Sequence, residues 1–76
     1  MIPKLEPVTS SNIHSVGHGE GALYVRFRGA GGMAGPLYRY PTAGVEHHEA
    51  LLKADSPGRY FLNVIKGRHA GERVNE

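Results

Sequence analysis

A chain of 76 residues has room for one domain and not for two, and at this size folding buries only about 60% of the surface the unfolded chain exposes. A shallow binding surface therefore suits it better than a deep, water-excluding active site. Cysteine is absent, which excludes a disulfide framework and a thiolate zinc site and makes the reducing cytoplasm the expected compartment. The start, Met-Ile-Pro-Lys-Leu-Glu-Pro, has no apolar run of signal-peptide type, and no segment approaches the roughly 20 apolar residues of a membrane span. The formal charge is only +2, but residues 22–68 hold seven bases (Arg26, Arg28, Arg39, Lys53, Arg59, Lys66, Arg68) against three acids (Glu46, Glu49, Asp55). That excess leans toward anionic partners.

In chain order, residues 1–7 read as an N-terminal extension. The stretch from Val8 to Val16 carries the β-branched residues Val8, Thr9, Ile13 and Val16 and runs into Gly17-His18-Gly19-Glu20-Gly21, which predicts a first strand closing into a hairpin. From Ala22 to Arg28 the chain alternates, with Leu23, Val25 and Phe27 on one face and Tyr24, Arg26 and Arg28 on the other. This is the period of a strand with one face buried. Residues 29–36 hold four glycines and no periodicity and read as a mobile loop. A short third strand, Leu37-Tyr38-Arg39-Tyr40, is stopped by Pro41.

Two helices are predicted to follow. From about Ala43 to Ala54, Val45, Leu51 and Leu52 lie near helical spacing among charged residues and histidines. The second is better marked, with Ser56 as N-cap, Pro57 at the first helical position and Gly67 at the C-cap. The i,i+4 pairs Tyr60/Val64 and Phe61/Ile65 give it one apolar face. Residues 70–76 read as a flexible tail. The order is that of an α+β domain over residues 8–69, a three-stranded antiparallel β-meander with two C-terminal helices packed on one face. The opposite face is left open, and Tyr24, Arg26 and Arg28 point to it.

Several pieces of the chain, taken in order, resemble the KTSC domain family: Ser10-Ser11-Asn12-Ile13 followed by Val16-Gly17, then Leu23-x-Val25-x-Phe27, then Tyr38-Arg39-Tyr40, then Ala54-Asp55-Ser56-Pro57-Gly58-Arg59-Tyr60-Phe61. No one piece is specific; the ordered set, over about residues 8–69, is. The sequence departs from the family pattern at the glycine-rich loop, which replaces a tight turn, and at His18, which stands where an aromatic residue is frequent. The family is a short module found at the C-terminus of some lysyl-tRNA synthetases and free-standing in bacteria and phages. The resemblance implies the fold, and its synthetase context suggests RNA.

The chemistry-bearing residues point the same way. Tyr24, Arg26, Arg28 and Arg39 on the open sheet face would pair with phosphates and stack a base, with support from Arg59, Lys66 and Arg68. Tyr38 and Tyr40 share one side of their strand and are expected in the core, which turns Arg39 to the basic face. His47 and His48 are about 100° apart on a helix and unsuited to one ion, and with no HExxH-type spacing no metal or other cofactor is expected. The glycine-rich loop is no phosphate loop, since no Gly-Lys-Ser/Thr follows it. No nucleophile with a base and an orienting partner can be named. The expectation is a non-catalytic module binding RNA or other nucleic acid. The alternatives are an interaction or inhibitor module, phage-encoded in one version, docking on a larger host protein through the loop and a strand edge, and capture of a small phosphorylated nucleotide.

Overall fold

The computed structural model describes residues 2–76. Five antiparallel strands form one sheet in simple chain order: β1 (Glu6–Pro7), β2 (Ile13–Gly19), β3 (Ala22–Arg28), β4 (Ala34–Tyr40) and β5 (Glu72–Arg73). Between β4 and β5 come helix α1 (Val45–Lys53) and a helical turn α2 (Pro57–Tyr60) that continues as a π-helical turn, Phe61–Ile65. The α+β class is as expected, but the sheet has five strands rather than three. The two added strands are edge strands made by the segments read as an extension and a tail.

Register explains the arrangement. β2 and β3 pair with Val16 opposite Val25 and His18 opposite Leu23, and β3 pairs β4 with Leu23 opposite Tyr40 and Val25 opposite Tyr38. These residues share the front face, where Ile13, Val16, Leu23, Val25 and Tyr40 form the main core with Leu51 of α1 and Phe61 and Ile65 of the π turn. Of the three apolar positions expected on the first helix only Leu51 is buried; Val45 and Leu52 are exposed. The second helix begins as predicted, with Ser56 Oγ accepting from the Arg59 amide and Pro57 in the first turn. Its second half is wider than an α-helix, because the Lys66 amide bonds the carbonyl of Phe61 at 2.8 Å, five residues back. Gly67, at φ 93°, then ends it.

The first hairpin differs from expectation. Gly17, His18 and Gly19 are strand residues, and the turn is Glu20-Gly21, both at positive φ. The glycines serve the back face. A Cβ on Gly17 would run into the carbonyl of Lys4 and lie 2.9 Å from Leu5, and one on Gly19 would lie 2.9 Å from Pro3. Residues 3–5 thus lie across the back of the sheet, where Leu5 packs on Ala22, Tyr24 and Leu37 together with Val74 from beyond β5. The third strand is also longer than predicted, starting at Ala34, and the loop before it is ordered by a 3-10 turn, Ala30–Gly32. Among the described residues no helix is long and apolar enough to cross a membrane.

Two consequences can be measured. Gly17→Val forces the arm of residues 3–5 off the sheet; overpacking of this kind costs roughly 1–3 kcal/mol, so the melting temperature falls and the arm becomes a site of early proteolysis. Burial, with a smaller contribution from Tyr38, pushes the Tyr40 phenol up to about 12 from its usual 10.0. Between those values the unfolded chain loses a proton that the folded chain keeps. The stability contributed by the neutral phenol is therefore whole below pH 10.0 and is lost as pH rises through about 12. Tyr40→Phe should flatten the alkaline limb of a stability curve by up to ~2 kcal/mol, read from urea melts between those pH values.

Candidate functional site

The back face, nominated from the alternation of β3, is closed. Tyr24 is 4% exposed and lies beneath Leu5 and Val74, so it has no ring face to offer a base. The strand period placed it correctly on the side opposite Leu23 and Val25; what covers that side is the chain's own two ends. Arg26 reaches Glu76 with both terminal nitrogens and donates to the Gly35 carbonyl at 2.9 Å, while Arg39 pairs with Glu72 at 3.0 Å. The hydrogen bonds to these carboxylates hold both guanidinium pKa values above the ordinary arginine value, and that from Arg26 holds Glu76 below the usual carboxylate range. Each arginine on this face thus meets a carboxylate from residues 72–76, and the face that looked basic is internally neutralised.

Arg28 parts from Tyr24 and Arg26. A register irregularity between Arg26 and Arg28, where β3 pairs β4, breaks the alternation. The guanidinium donates from Nε to the Ser10 carbonyl and from Nη1 to the Gly32 carbonyl, both at 2.7 Å. It therefore fastens the glycine-rich loop to the turn before β2. Both acceptors are neutral, so no carboxylate offsets the Arg28 charge, and three of its five N–H donors are left.

Arg28 stands in the wall of a hollow of about 490 Å³ at the front of the sheet, with Ser11, Asn12, Gly32, Leu62 and Lys66. A second hollow of about 450 Å³ adjoins it, lined by Phe27, Tyr38, Tyr40, Phe61, Lys66 and His69, and the two share Phe27, Phe61 and Lys66. Together they make one cleft between the sheet and the π turn. Its floor is a run of edge-to-face rings, Tyr38 to Phe27 at 5.7 Å, Phe27 to Phe61 at 5.2 Å and Phe61 to Tyr40 at 5.5 Å. Tyr40 and Phe61 are nearly buried, whereas Phe27 and Tyr38 keep part of their surface open. No Asp or Glu lines either hollow.

Local sequence positions each wall. Ser10 Oγ accepts from the amides of Asn12 and Ile13 at 3.2 and 3.1 Å, which turns the chain into β2 and leaves Ser11 and Asn12 at the rim. The same Oγ would lie 3.3 Å from a Cβ on Gly58, so the start of α2 packs directly on this turn. The π turn sends Phe61 and Ile65 inward and leaves Leu62 and Lys66 on the cleft side. Arg59 and Arg68, nominated with Lys66, are exposed and line neither hollow. The nominated residues are thus split: Arg28 and Lys66 meet in the cleft, Arg26 and Arg39 are paired on the back, and Tyr24 is covered. Ser11, Asn12, Phe27, Phe61 and His69 line the cleft without having been nominated, although four of the five lie in the motif pieces that marked the family.

The histidines tie elements together. His47 Nδ1 bonds the Tyr60 hydroxyl at 3.0 Å, His69 Nδ1 bonds Thr42 Oγ1 at 2.8 Å, and their two rings are 5.1 Å apart. His48 lies 3.3 Å from Glu6 of β1, and His18 reaches the Ala43 carbonyl at 3.3 Å. Among the described residues no three His, Cys, Asp or Glu side chains gather into a metal-binding group.

Comparison with known proteins agrees with this architecture. A protein of Stutzerimonas stutzeri (strain A1501) is 40% identical over 62 residues, 79% of this chain and 80% of its own length. The crystal structure of a KTSC domain protein from Yersinia pestis superposes with a TM-score of 0.79 at 31% identity, covering 95% of this chain and 97% of that one. The family model of the KTSC domain matches residues 9–69, from the turn that forms one wall of the cleft to the histidine at its far end, and the chain belongs to the KTSC domain family.

Proposed function

We propose that the chain is a small non-catalytic module that binds single-stranded nucleic acid, RNA first, and that it does so through the front cleft and not the back of the sheet. The carrying observation is the juxtaposition in that cleft of Arg28 and Lys66, which have no carboxylate partner among the described residues, with a partly open aromatic floor and no acidic lining. Unpaired cations serve phosphates, and open ring faces serve unstacked bases. Arg59 and Arg68, exposed near the ends of the same helical segment, extend the positive field toward a longer strand.

A second reading, docking on a larger host protein through the loop, is favoured by Met33, 73% exposed at its tip, and Leu62, 58% exposed on the cleft rim. Such a complex depends on apolar contact and responds weakly to salt, so one titration separates the two.

Binding of a fluorescent single-stranded oligoribonucleotide, followed by anisotropy, should weaken about twentyfold between ~50 and ~200 mM salt if about three phosphates are contacted. Lys66→Glu should lower affinity at least ~tenfold, whereas Arg39→Glu, on the back face, should leave it near the parent value once folding is confirmed. A salt-insensitive complex, or one lost with Arg39 and kept with Lys66→Glu, would refute the assignment.

A further inference from the structure

The cleft is divided by chemistry, and the division has the order of a nucleotide. One half is aromatic: Phe27 and Tyr38 present open ring surface, Tyr40 and Phe61 close the floor, and His69 stands at the edge. With Nδ1 of His69 occupied by Thr42, its Nε2 is the nitrogen left for a polar group of a bound ring. The other half is rich in donors. Arg28 has three N–H groups to spare, Lys66 has three, and the Asn12 amide, whose oxygen accepts from Ser11 at 3.3 Å, keeps its NH₂. Lys66 belongs to both halves, at their junction. Each hollow, at about 490 and 450 Å³, lies in the range of small-molecule sites, roughly 300–1,000 Å³.

Fixity matters as much as composition. The Arg28 guanidinium is held by two backbone carbonyls at 2.7 Å, so its charge is in place before any ligand arrives and little ordering remains to be done on binding. An arginine held by carbonyls instead of carboxylates stays an anion receptor; those on the back face, bonded to Glu72 and Glu76, do not. The ring floor is fixed in the same sense, because Phe61 and Tyr40 belong to the main core.

We infer that the cleft is a one-nucleotide site, seating a base on Phe27 and Tyr38 and its phosphate among Asn12, Arg28 and Lys66. This rests on the nucleic-acid reading and sharpens it: the recognised unit is a single phosphorylated nucleotide, whether carried in a strand or free.

The test uses the full ¹⁵N-labelled chain and four probes: a nucleoside 5′-monophosphate, the corresponding nucleoside, inorganic phosphate, and a single-stranded oligoribonucleotide. The monophosphate is expected to shift amide resonances in both halves, around residues 11, 12 and 28, which line only the donor half, and around 38 and 69, which line only the aromatic half, and in excess to displace the oligonucleotide. The nucleoside should shift only the aromatic half and phosphate only the donor half. Asn12→Asp, isosteric and at an exposed position, places a carboxylate in the donor half; it should weaken the monophosphate at least ~tenfold while leaving the nucleoside unchanged. An oligonucleotide that binds at the cleft but is not displaced by monophosphate, or equal losses for monophosphate and nucleoside in Asn12→Asp, would overturn the one-nucleotide site and leave the nucleic-acid reading standing. Monophosphate binding without oligonucleotide binding would keep the site and remove that reading, and no binding of either removes both.

Discussion

Strand β3 buries four consecutive residues, Ala22, Leu23, Tyr24 and Val25, and the rest of the molecule is arranged to make that possible. Successive residues of a strand point to opposite faces, so four in a row can be buried only if both sides of the sheet are covered. The front is covered by α1 and the helical segment after it. No helix is left for the back. It is covered by the two ends of the chain, Leu5 and the backbone beside it from one side and Val74 from the other, which pair as β1 and β5 at opposite edges of the sheet. Edge strands of two residues give these segments few ladder hydrogen bonds, and apolar burial supplies much of what holds them there.

This covering also decides where charge is available. Of nine basic residues, the two on the back of the central strands meet carboxylates carried in by the C-terminal segment, Arg26 with Glu76 and Arg39 with Glu72. Exposed pairs of this kind add little to stability, but they cancel the local field. Arg28, two residues beyond Arg26, bonds carbonyls and carries a charge that no carboxylate offsets. The same residue type in neighbouring positions of one strand thus has two fates, set by what the surrounding chain offers as an acceptor.

The cleft lies between the front of the sheet and the helical segment, lined by residues of both. α1 packs against β2, β3 and the first turn of α2, and the widened turn Phe61–Ile65 follows with Phe61 on Phe27 and Tyr40. Beyond it the sheet's front is floored by rings and bordered by the Ser10-Ser11-Asn12 turn, the loop fastened by Arg28, and Lys66. Gly35 serves this border: a Cβ there would lie 2.7 Å from the Gly29 nitrogen and 2.9 Å from the Phe27 carbonyl, so its absence lets the ends of β3 and β4 close tightly enough to set the loop at the rim.

Local features were legible in the amino-acid sequence because local physics decides them. The alternation of β3, the Ser56-Pro57 start and Gly67 stop of the second helical segment, the apolar pair Phe61 and Ile65, and the placing of Arg39 opposite Tyr38 and Tyr40 all follow from strand and helix periods and capping chemistry. The ordered motif pieces sufficed to mark the family. What the sequence could not disclose is which segments distant in the chain meet. Residues 3–5 and 72–76 have no periodicity of their own, and they become structure only because a sheet face elsewhere needs a cover. That long-range pairing converts Tyr24 from an exposed ring into a core residue and Arg26 and Arg39 from free cations into ion pairs. It leaves Arg28 and Lys66, 38 positions apart, as the charged walls of one cleft. A strand's period states which side a residue faces; only the tertiary structure states what else is on that side.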